Sequence, residues 1–192
     1  MRKNIHATIP AAAARVLIGT LLLVTVVSVS AGVSRAAQLI PAIGYTKATD
    51  SSAGDGQVFG SVALRAALLP FLSAEGGIAY REDSFANDAL KVRQWPVTAS
   101  LWVTPGSMVY AGGGLGWYRT TYDYQSTLPF NDETTDKVGV HLGGGLAVPV
   151  TPHLGLDLNG RYVFMQKDNT IQLPTQFNPD FWSTSVGLAI KF

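Results

Sequence analysis

Six ionisable side chains lie inside segments that are otherwise apolar, small or uncharged: Arg65, Glu75, His141, Asp157, Arg161 and Lys191. In a poorly hydrated environment each of these charges needs a partner, because desolvation penalises an isolated ion. We interpret the set as a structural ionic network that fills space and blocks flow. The alternative is a selective passage or a proton-linked site at His141, which depends on a single histidine near arginine.

Other kinds of chemistry have less support. Neither His141 nor His153 has a serine and a carboxylate at a spacing that would build a nucleophile, a base and an orienting acid. The acidic run 132–136 offers oxygen ligands suited to Ca²⁺ or Mg²⁺, but solvated loop charge is the simpler interpretation. The glycine runs 112–114 and 143–145 lie inside strand patterns and precede no helix, so they are not phosphate loops. We predict no catalytic residue, metal site or cofactor.

The segments around these residues alternate between apolar and small or polar residues, which is the period of a β-strand. This alternation is clearest at 58–68, 138–148, 154–164 and 182–192. With the weaker segments included, we predict eight strands, at about 38–48, 57–69, 72–82, 91–104, 108–120, 136–149, 153–166 and 181–192. Space beside the strand glycines has three candidate occupants: Trp102, Tyr110 and Tyr118.

The connections alternate in length. Short ones at 70–71, 104–107 and 150–152 alternate with longer polar ones at 49–56, 83–90, 121–135 and 167–180. Eleven of the thirteen acidic residues fall in or beside the long connections, and seven aromatic residues lie near the strand ends on that side: Tyr45, Tyr80, Trp95, Trp117, Tyr162, Phe164 and Trp182. This pattern is typical of an antiparallel up-and-down transmembrane β-barrel.

The less apolar face decides between a membrane barrel and a soluble ligand-binding barrel. That face consists of glycine, alanine and serine with few charges, which would make a poorly solvated exterior but a well-packed narrow lumen. We therefore expect the apolar face to point to lipid. In hydrocarbon a closed barrel pairs every backbone group and leaves no sheet edge.

Residues 1–36 have the composition of a cleaved helical signal peptide. A basic start precedes the uncharged apolar run 16–33, and small residues flank Arg35, which places cleavage after Ala36, with Ala37 as the near-equal alternative. A retained helical anchor is the less favoured interpretation. Cleavage removes four of the fourteen basic residues, so ten basic and thirteen acidic side chains give the remaining domain, 37–192, a net charge of −3. This net charge gives no electrostatic support for nucleic-acid binding. The sequence contains no cysteine, so no disulfide stabilises the domain.

Turn positions predict which lumen residues meet. Folding the second and third strands about Pro70 sets Arg65 opposite Glu75. Folding the sixth and seventh about Thr151 sets His141 opposite Arg161 and Gly145 opposite Asp157. Lys191 is also expected to come near Asp157, diagonally from the eighth strand.

The sequence resembles the small outer-membrane β-barrel proteins of the OmpX-like and OmpA-transmembrane-domain-like family over residues 38–192. The resemblance is sharpest in the last strand, which ends the chain on an aromatic residue with apolar residues at alternate positions: Trp182, Val186, Leu188, Ile190 and Phe192. The glycine-rich segments 111–118 and 141–146 also look like this family. The resemblance implies that the last strand is the signal read by the barrel-assembly machinery.

These observations favour a non-enzymatic, porin-like protein of the Gram-negative cell envelope, with a structural or surface-interaction role through its acidic and aromatic loops. Its expected partners are outer-membrane lipid and lipopolysaccharide, the barrel-assembly machinery, and an extracellular partner that the sequence does not identify. We expect the protein to be a monomer. A narrow channel for small solutes is the first alternative, and a lipid A modifying enzyme is the second.

Overall fold

The computed structural model describes residues 37–49, 56–85, 90–124, 133–166 and 180–192. Eight β-strands account for most of them: β1 Ala37–Ala48, β2 Gln57–Leu69, β3 Leu72–Phe85, β4 Leu90–Val103, β5 Val109–Tyr124, β6 Glu133–Pro149, β7 Leu154–Met165 and β8 Phe181–Lys191. Within the described ranges, no helix is long and apolar enough to cross a membrane. The predicted signal peptide lies outside the described residues, so its cleavage stays a prediction.

The strands form a closed antiparallel barrel. Each strand pairs with its neighbour in sequence, and β8 pairs back onto β1 with Ile43 opposite Val186 and Gln38 opposite Lys191. Closure removes the sheet edges and pairs the backbone donors and acceptors of the ladder, as hydrocarbon requires. The prediction of an eight-stranded up-and-down barrel is confirmed.

The strand bounds match the predicted ones to within a few residues, except beside the long connections. There β3, β5 and β6 run further than their polar composition indicated. The ladder continues through polar pairs, such as Arg119 opposite Asp136 and Thr121 opposite Thr134. Cross-strand pairing therefore extends the sheet past the apolar part of these strands, because opposed polar side chains also support a ladder.

The short connections, 70–71, 104–108 and 150–153, lie at one end of the barrel, which we call the turn side; the opposite end is the loop side. In the last of these turns, the Val150 and Thr151 N–H groups donate to the Leu154 carbonyl at 2.9 Å. The Leu154 N–H donates to Thr151 Oγ1 at 3.0 Å. These bonds close a four-residue turn that sets the register of β6 against β7.

The outward face of the barrel is apolar around its circumference. Large aliphatic side chains project from it on successive strands and are exposed, among them Val62, Leu101, Leu115, Leu142, Leu158 and Leu188. A continuous apolar surface of this kind is unfavourable in water and matches a lipid environment. The small and polar residues face the lumen, as predicted.

Aromatic rings border this apolar surface on the loop side. Ring centroids lie 5.7 Å apart for Tyr45 and Trp182 and 4.6 Å apart for Tyr80 and Trp95. Amphipathic rings in such positions place their polar groups at the boundary between hydrocarbon and headgroups. This arrangement is typical of the aromatic girdle of a transmembrane barrel.

Candidate functional site in the barrel lumen

The ionisable residues predicted for the lumen lie on strand positions that share the inward face. Arg65 is on β2, Glu75 on β3, His141 on β6, and Asp157 and Arg161 on β7. Asp157 and Arg161 are four residues apart on β7, an even spacing that keeps both inward because side chains alternate between the two faces. All of them except Arg161 are buried, and Arg161 is half-buried.

Arg65 joins two carboxylates on opposite sides of the lumen. Its Nε and Nη2 lie 2.8 and 2.7 Å from Glu75 Oε2, and its Nη1 donates to Asp157 Oδ2 at 2.7 Å. Its guanidinium carbon is 4.3 Å from the centre of the Tyr110 ring. The predicted pairing of Arg65 with Glu75 across the ladder is confirmed. The contact with Asp157 crosses the barrel interior and follows from closure.

The second oxygen of Glu75 binds another arginine. Arg161 Nη2 donates to Glu75 Oε1 at 2.6 Å, and Arg161 Nε donates to Asn159 Oδ1 at 2.7 Å. The Arg161 guanidinium also lies over the Trp102 ring, 5.2 Å from its centre. Two cations and two anions therefore form one chain of contacts, Arg161–Glu75–Arg65–Asp157, with mutual compensation of charge.

Tyr110 closes the polar chain at Asp157. Its hydroxyl donates to Asp157 Oδ1 at 2.8 Å and accepts from Asn159 Nδ2 at 3.1 Å. Its ring occupies the space above Gly145, where an added Cβ would lie 2.5 Å from the tyrosine oxygen. Tyr118 stands over Gly116 in the same way. Of the three predicted fillers of glycine space, Tyr110 and Tyr118 are confirmed, and Trp102 is fully buried in the lumen against Tyr110.

His141 is enclosed and makes one hydrogen bond. Its Nε2 lies 2.9 Å from Ser100 Oγ, its ring is fully buried, and its Nδ1 has no hydrogen-bond partner. The Trp102 ring centre is 6.3 Å from that of the imidazole. The sequence patterns did not reveal the contact with Ser100, because it joins β4 to β6 across β5. The one available signal was the inward position of Ser100.

The predicted register between β6 and β7 is wrong by two residues. His141 lies opposite Val163, and Arg161 lies opposite Gly143. The prediction centred the turn on Thr151, whereas the hydrogen bonds of residues 150–154 centre it on Pro152. Moving the centre by one residue shifts the ladder by two, so every side chain keeps its face while its partner changes.

The same shift changes the partner of Asp157, and the ladder between β7 and β8 places Lys191 away from it. Asp157 lies opposite Ala147 rather than Gly145, and Gly187 faces Asp157 from β8. Lys191 is four residues further along β8 and forms no ion pair within the described part of the chain. The predicted diagonal approach of Lys191 to Asp157 is therefore wrong, and Lys191 lies near the turn side.

Two cavities flank the chain of ion pairs. The loop-side cavity has a volume of about 100 Å³ and is lined by Glu75, Arg161 and His141, together with residues nearer the loop side. The turn-side cavity has about 290 Å³ and is lined by Arg65, Tyr110 and Lys191, among others. The Arg65–Glu75 contact separates them. Among the described residues, no group of three or more histidines, cysteines or acids could hold a metal ion.

The last strand presents the predicted assembly residues outward. Trp182, Val186, Leu188 and Phe192 are exposed, and Ile190 is half-buried. The Phe192 N–H donates to the Ala37 carbonyl at 3.1 Å, which continues the seam between β8 and β1. The terminal aromatic residue is thus attached to the barrel by its backbone, while its side chain faces outward.

Comparison with known proteins agrees with this fold. No curated protein matches the sequence. Neisserial surface protein A is similar in structure, with a TM-score of 0.65 and 20% identity over 81% of this chain and 97% of that chain. Ail of Yersinia pestis has a TM-score of 0.55 and 14% identity over 82% of this chain and 99% of its own. The N-terminal β-barrel domain of Pseudomonas aeruginosa OprF has a TM-score of 0.53 and 12% identity, over 81% and 97%.

These structural likenesses, at low identity, concern the fold alone. The family evidence comes from the sequence itself, because the model of the outer membrane protein beta-barrel domain matches residues 19–192. The apolar outer face, the aromatic border and the closed ladder are the features that an outer-membrane barrel requires. The chain belongs to the outer membrane protein beta-barrel domain family.

Proposed function

We propose that this outer-membrane barrel has a non-enzymatic role, structural or in surface interaction, and that its lumen is closed by charged side chains. The observation that carries the proposal is the Arg161–Glu75–Arg65–Asp157 chain, whose ionic contacts measure 2.6–2.8 Å. Tyr110 and Trp102 fill space beside it. An ion crossing the lumen would have to separate these pairs, and breaking a buried pair typically costs about 3–5 kcal/mol.

Conductance across a planar lipid bilayer tests closure. The refolded wild-type barrel is expected to give no stable open steps. Glu75→Gln removes the anion between two arginines and should produce brief openings, whereas Lys191→Gln, outside the chain of ion pairs, should behave as wild type. Stable steps from the wild-type protein would instead support the alternative, a narrow channel for small solutes.

Within the described ranges, the contact between Ser100 and His141 is the one observation that bears on an enzyme. A serine beside a histidine is a possible nucleophile and base. Both side chains are buried and face the lumen, whereas a lipid substrate would contact the outward face. We therefore propose no lipid A modification. The mass spectrum of lipid A should be unchanged by expression of the protein, and a new lipid A species absent from a Ser100→Ala strain would contradict this.

Outer-membrane lipid, including lipopolysaccharide, is the proposed partner of the outward face. The exposed aliphatic surface and the rings of Tyr45, Trp95 and Trp182 support contact with acyl chains and headgroups. Recognition of an outside partner is assigned to the long connections, whose central residues lie outside the described ranges. We also propose that the protein is a monomer; its mass in detergent, corrected for bound detergent, would be that of one chain.

The last strand is the proposed signal for the barrel-assembly machinery, through Trp182, Val186, Leu188, Ile190 and Phe192. Its support is the alternation of outward side chains up to the terminal aromatic residue. Deleting Phe192 should lower the amount of folded barrel in the outer membrane, measured by heat-modifiable gel mobility. Phe192→Tyr is the matched control and should assemble normally. Equal levels in the deletion strain would contradict the assignment.

A further inference from the structure

The turn-side cavity is lined by a cation that the rest of the described chain leaves unpaired. Lys191 lies at the end of β8, is half-buried, and forms no ion pair or side-chain hydrogen bond with any described residue. Arg65 also lines this cavity, but Glu75 and Asp157 compensate its charge. No described acid lines the cavity, so one positive charge remains in surplus and favours an anion.

Four uncharged polar side chains line the same cavity: Gln38, Ser73, Thr104 and Ser107. None of them forms a side-chain hydrogen bond to another residue in the described ranges. Each can both donate and accept a hydrogen bond. These free groups match a ligand that carries several hydroxyl groups, because a hydroxyl has the same capacity to donate and accept.

The cation and the hydroxyl groups lie on different parts of the cavity wall. Lys191 faces Gln38 across the seam between β8 and β1. On the other side of β2, Ser73 lies opposite Trp102 of β4, and Thr104 follows two residues after Trp102. A ligand that contacts both parts of the wall therefore has its negative charge at one end and hydroxyl groups at the other.

The volume and the charge of the cavity limit the ligand further. A volume of about 290 Å³ is nearly twice that of the roughly 150 Å³ cavity that binds benzene in another protein, so a ligand of about twelve non-hydrogen atoms fits. One surplus positive charge matches one carboxylate. A phosphate monoester carries about −1.5 to −2 at neutral pH and would bring more negative charge than Lys191 compensates.

We propose that the turn-side cavity binds a monocarboxylated sugar of the size of a hexuronate. The carboxylate binds the ammonium group of Lys191, and the sugar hydroxyls bind the side chains of Ser73, Thr104 and Ser107. The ion-pair chain closes the inner end of the cavity, so the ligand enters from the turn side. Short turns of outer-membrane barrels face the periplasm, so the ligand comes from there. This site goes beyond the proposed structural or surface role and lies at the end of the barrel opposite the long connections.

Backbone amide chemical shifts of the refolded barrel in detergent micelles locate the binding. Gly106 and Gly155 line the turn-side cavity, whereas Gly77 lines the loop-side cavity. Glucuronate should shift the Gly106 and Gly155 signals saturably, with a Kd of about 1 mM, and leave the Gly77 signal unchanged. The absence of a saturable shift, or a saturable shift at Gly77 alone, would overturn the proposal.

Three further probes test which parts of the ligand are recognised. Glucose lacks the carboxylate, acetate lacks the sugar hydroxyls, and inorganic phosphate lacks both the carboxylate and the size. Each should bind at least about tenfold more weakly than glucuronate. Glucose binding as tightly as glucuronate would show that Lys191 does not recognise the ligand, and acetate or phosphate binding as tightly would show that the hydroxyl groups do not. Either result would overturn the proposed class of ligand.

Two pairs of matched variants test the residues. Lys191→Gln removes the charge from the cavity, and Lys47→Gln makes the same change at an exposed lysine near the loop-side end of β1. Ser73→Leu fills the turn-side cavity, and Ser185→Leu makes the same change in the loop-side cavity. Glucuronate affinity should fall at least about tenfold in the first variant of each pair and stay unchanged in the second. Gel mobility before and after heating identifies folded protein, so a folded Lys191→Gln or Ser73→Leu barrel with wild-type affinity would overturn the site.

Discussion

The lipid face and the lumen face of this barrel use the same strands under different constraints. On the lipid face, Leu158 stands next to Leu146 and Val186, and any similar aliphatic residue would serve. In the lumen, Glu75 has two arginines on its two oxygens, which only a carboxylate can bind in this way, and aspartate is one methylene shorter. The lipid face thus requires only that its residues be aliphatic. The contacts in the lumen require in addition that each residue has the correct partner on the neighbouring strand.

The largest effect is expected from removing the central anion of the lumen. Glu75→Gln leaves Arg65 with one carboxylate and Arg161 with none, which should destabilise the barrel by about 3–5 kcal/mol. Arg65→Met should act similarly. The double variant should recover part of the loss, because the two residues form a coupled pair. Urea unfolding in lipid vesicles measures all three proteins.

The double variant cannot recover everything, since Asp157 and Arg161 each keep a broken contact. Additive losses of Glu75→Gln and Arg65→Met would show that the two side chains do not interact. Asp136→Asn, on the outward face at the loop side, is the control for loss of a carboxylate. It should change the free energy of unfolding by no more than about 0.5 kcal/mol.

On the lipid face, only a change of residue class should matter. Leu158 lies midway along β7 and points outward, so Leu158→Arg places a charge in hydrocarbon and should cost about 2–4 kcal/mol. Leu158→Ile keeps the class and should change stability by less than about 0.5 kcal/mol. The same unfolding experiment compares them. Equal stability of the arginine and isoleucine variants would indicate that this face does not contact lipid.

Two glycines, one on each face, give a smaller and more direct comparison. Gly145 faces the lumen, where an added Cβ meets the Leu158 carbonyl and the Tyr110 ring, whereas a Cβ on Gly160 meets nothing within 4 Å. Gly145→Ala should therefore cost about 1–3 kcal/mol by overpacking. Gly160→Ala should be neutral or stabilising by about 0.5 kcal/mol, because alanine restricts the unfolded chain. If Gly160→Ala were the more destabilising of the two, the assignment of Gly145 to the lumen face and Gly160 to the lipid face would be wrong.

The contrast between the faces also explains what the sequence could reveal. Alternation alone assigns each residue to a face, and the eight strands, the closed barrel and the outward aliphatic surface follow from it. Arg65 and Glu75 were paired correctly because the ladder between β2 and β3 is centred on Pro70. His141 and Arg161 were paired wrongly because the turn before β7 is centred one residue later than assumed.

Contacts across the lumen were beyond the sequence patterns. Tyr110 reaches Asp157, and Ser100 reaches His141, from strands that are not neighbours in the ladder. Such contacts depend on the distance between side chains of non-adjacent strands in the closed barrel. The alternation within one strand carries no information on this distance. The sequence does show that such a residue points inward and lies near glycine. This pattern predicts that the side chain fills space in the lumen, but it does not predict which residue it contacts.

The smallest effect is expected at Lys191, and it tests the register of β8 against β7. If Lys191 approached Asp157 diagonally from β8, as predicted from the sequence, its loss would leave a buried carboxylate short of a partner. In the structure Asp157 faces Gly187 and bonds to Arg65 and Tyr110, while Lys191 lines the turn-side cavity. Lys191→Gln should therefore shift the free energy of unfolding by no more than about 0.5 kcal/mol, as for a solvated charge. A loss comparable to that of Glu75→Gln would contradict the register of β8 against β7 and place Lys191 within the ion-pair chain. This variant should therefore be measured beside Glu75→Gln at the same ionic strength.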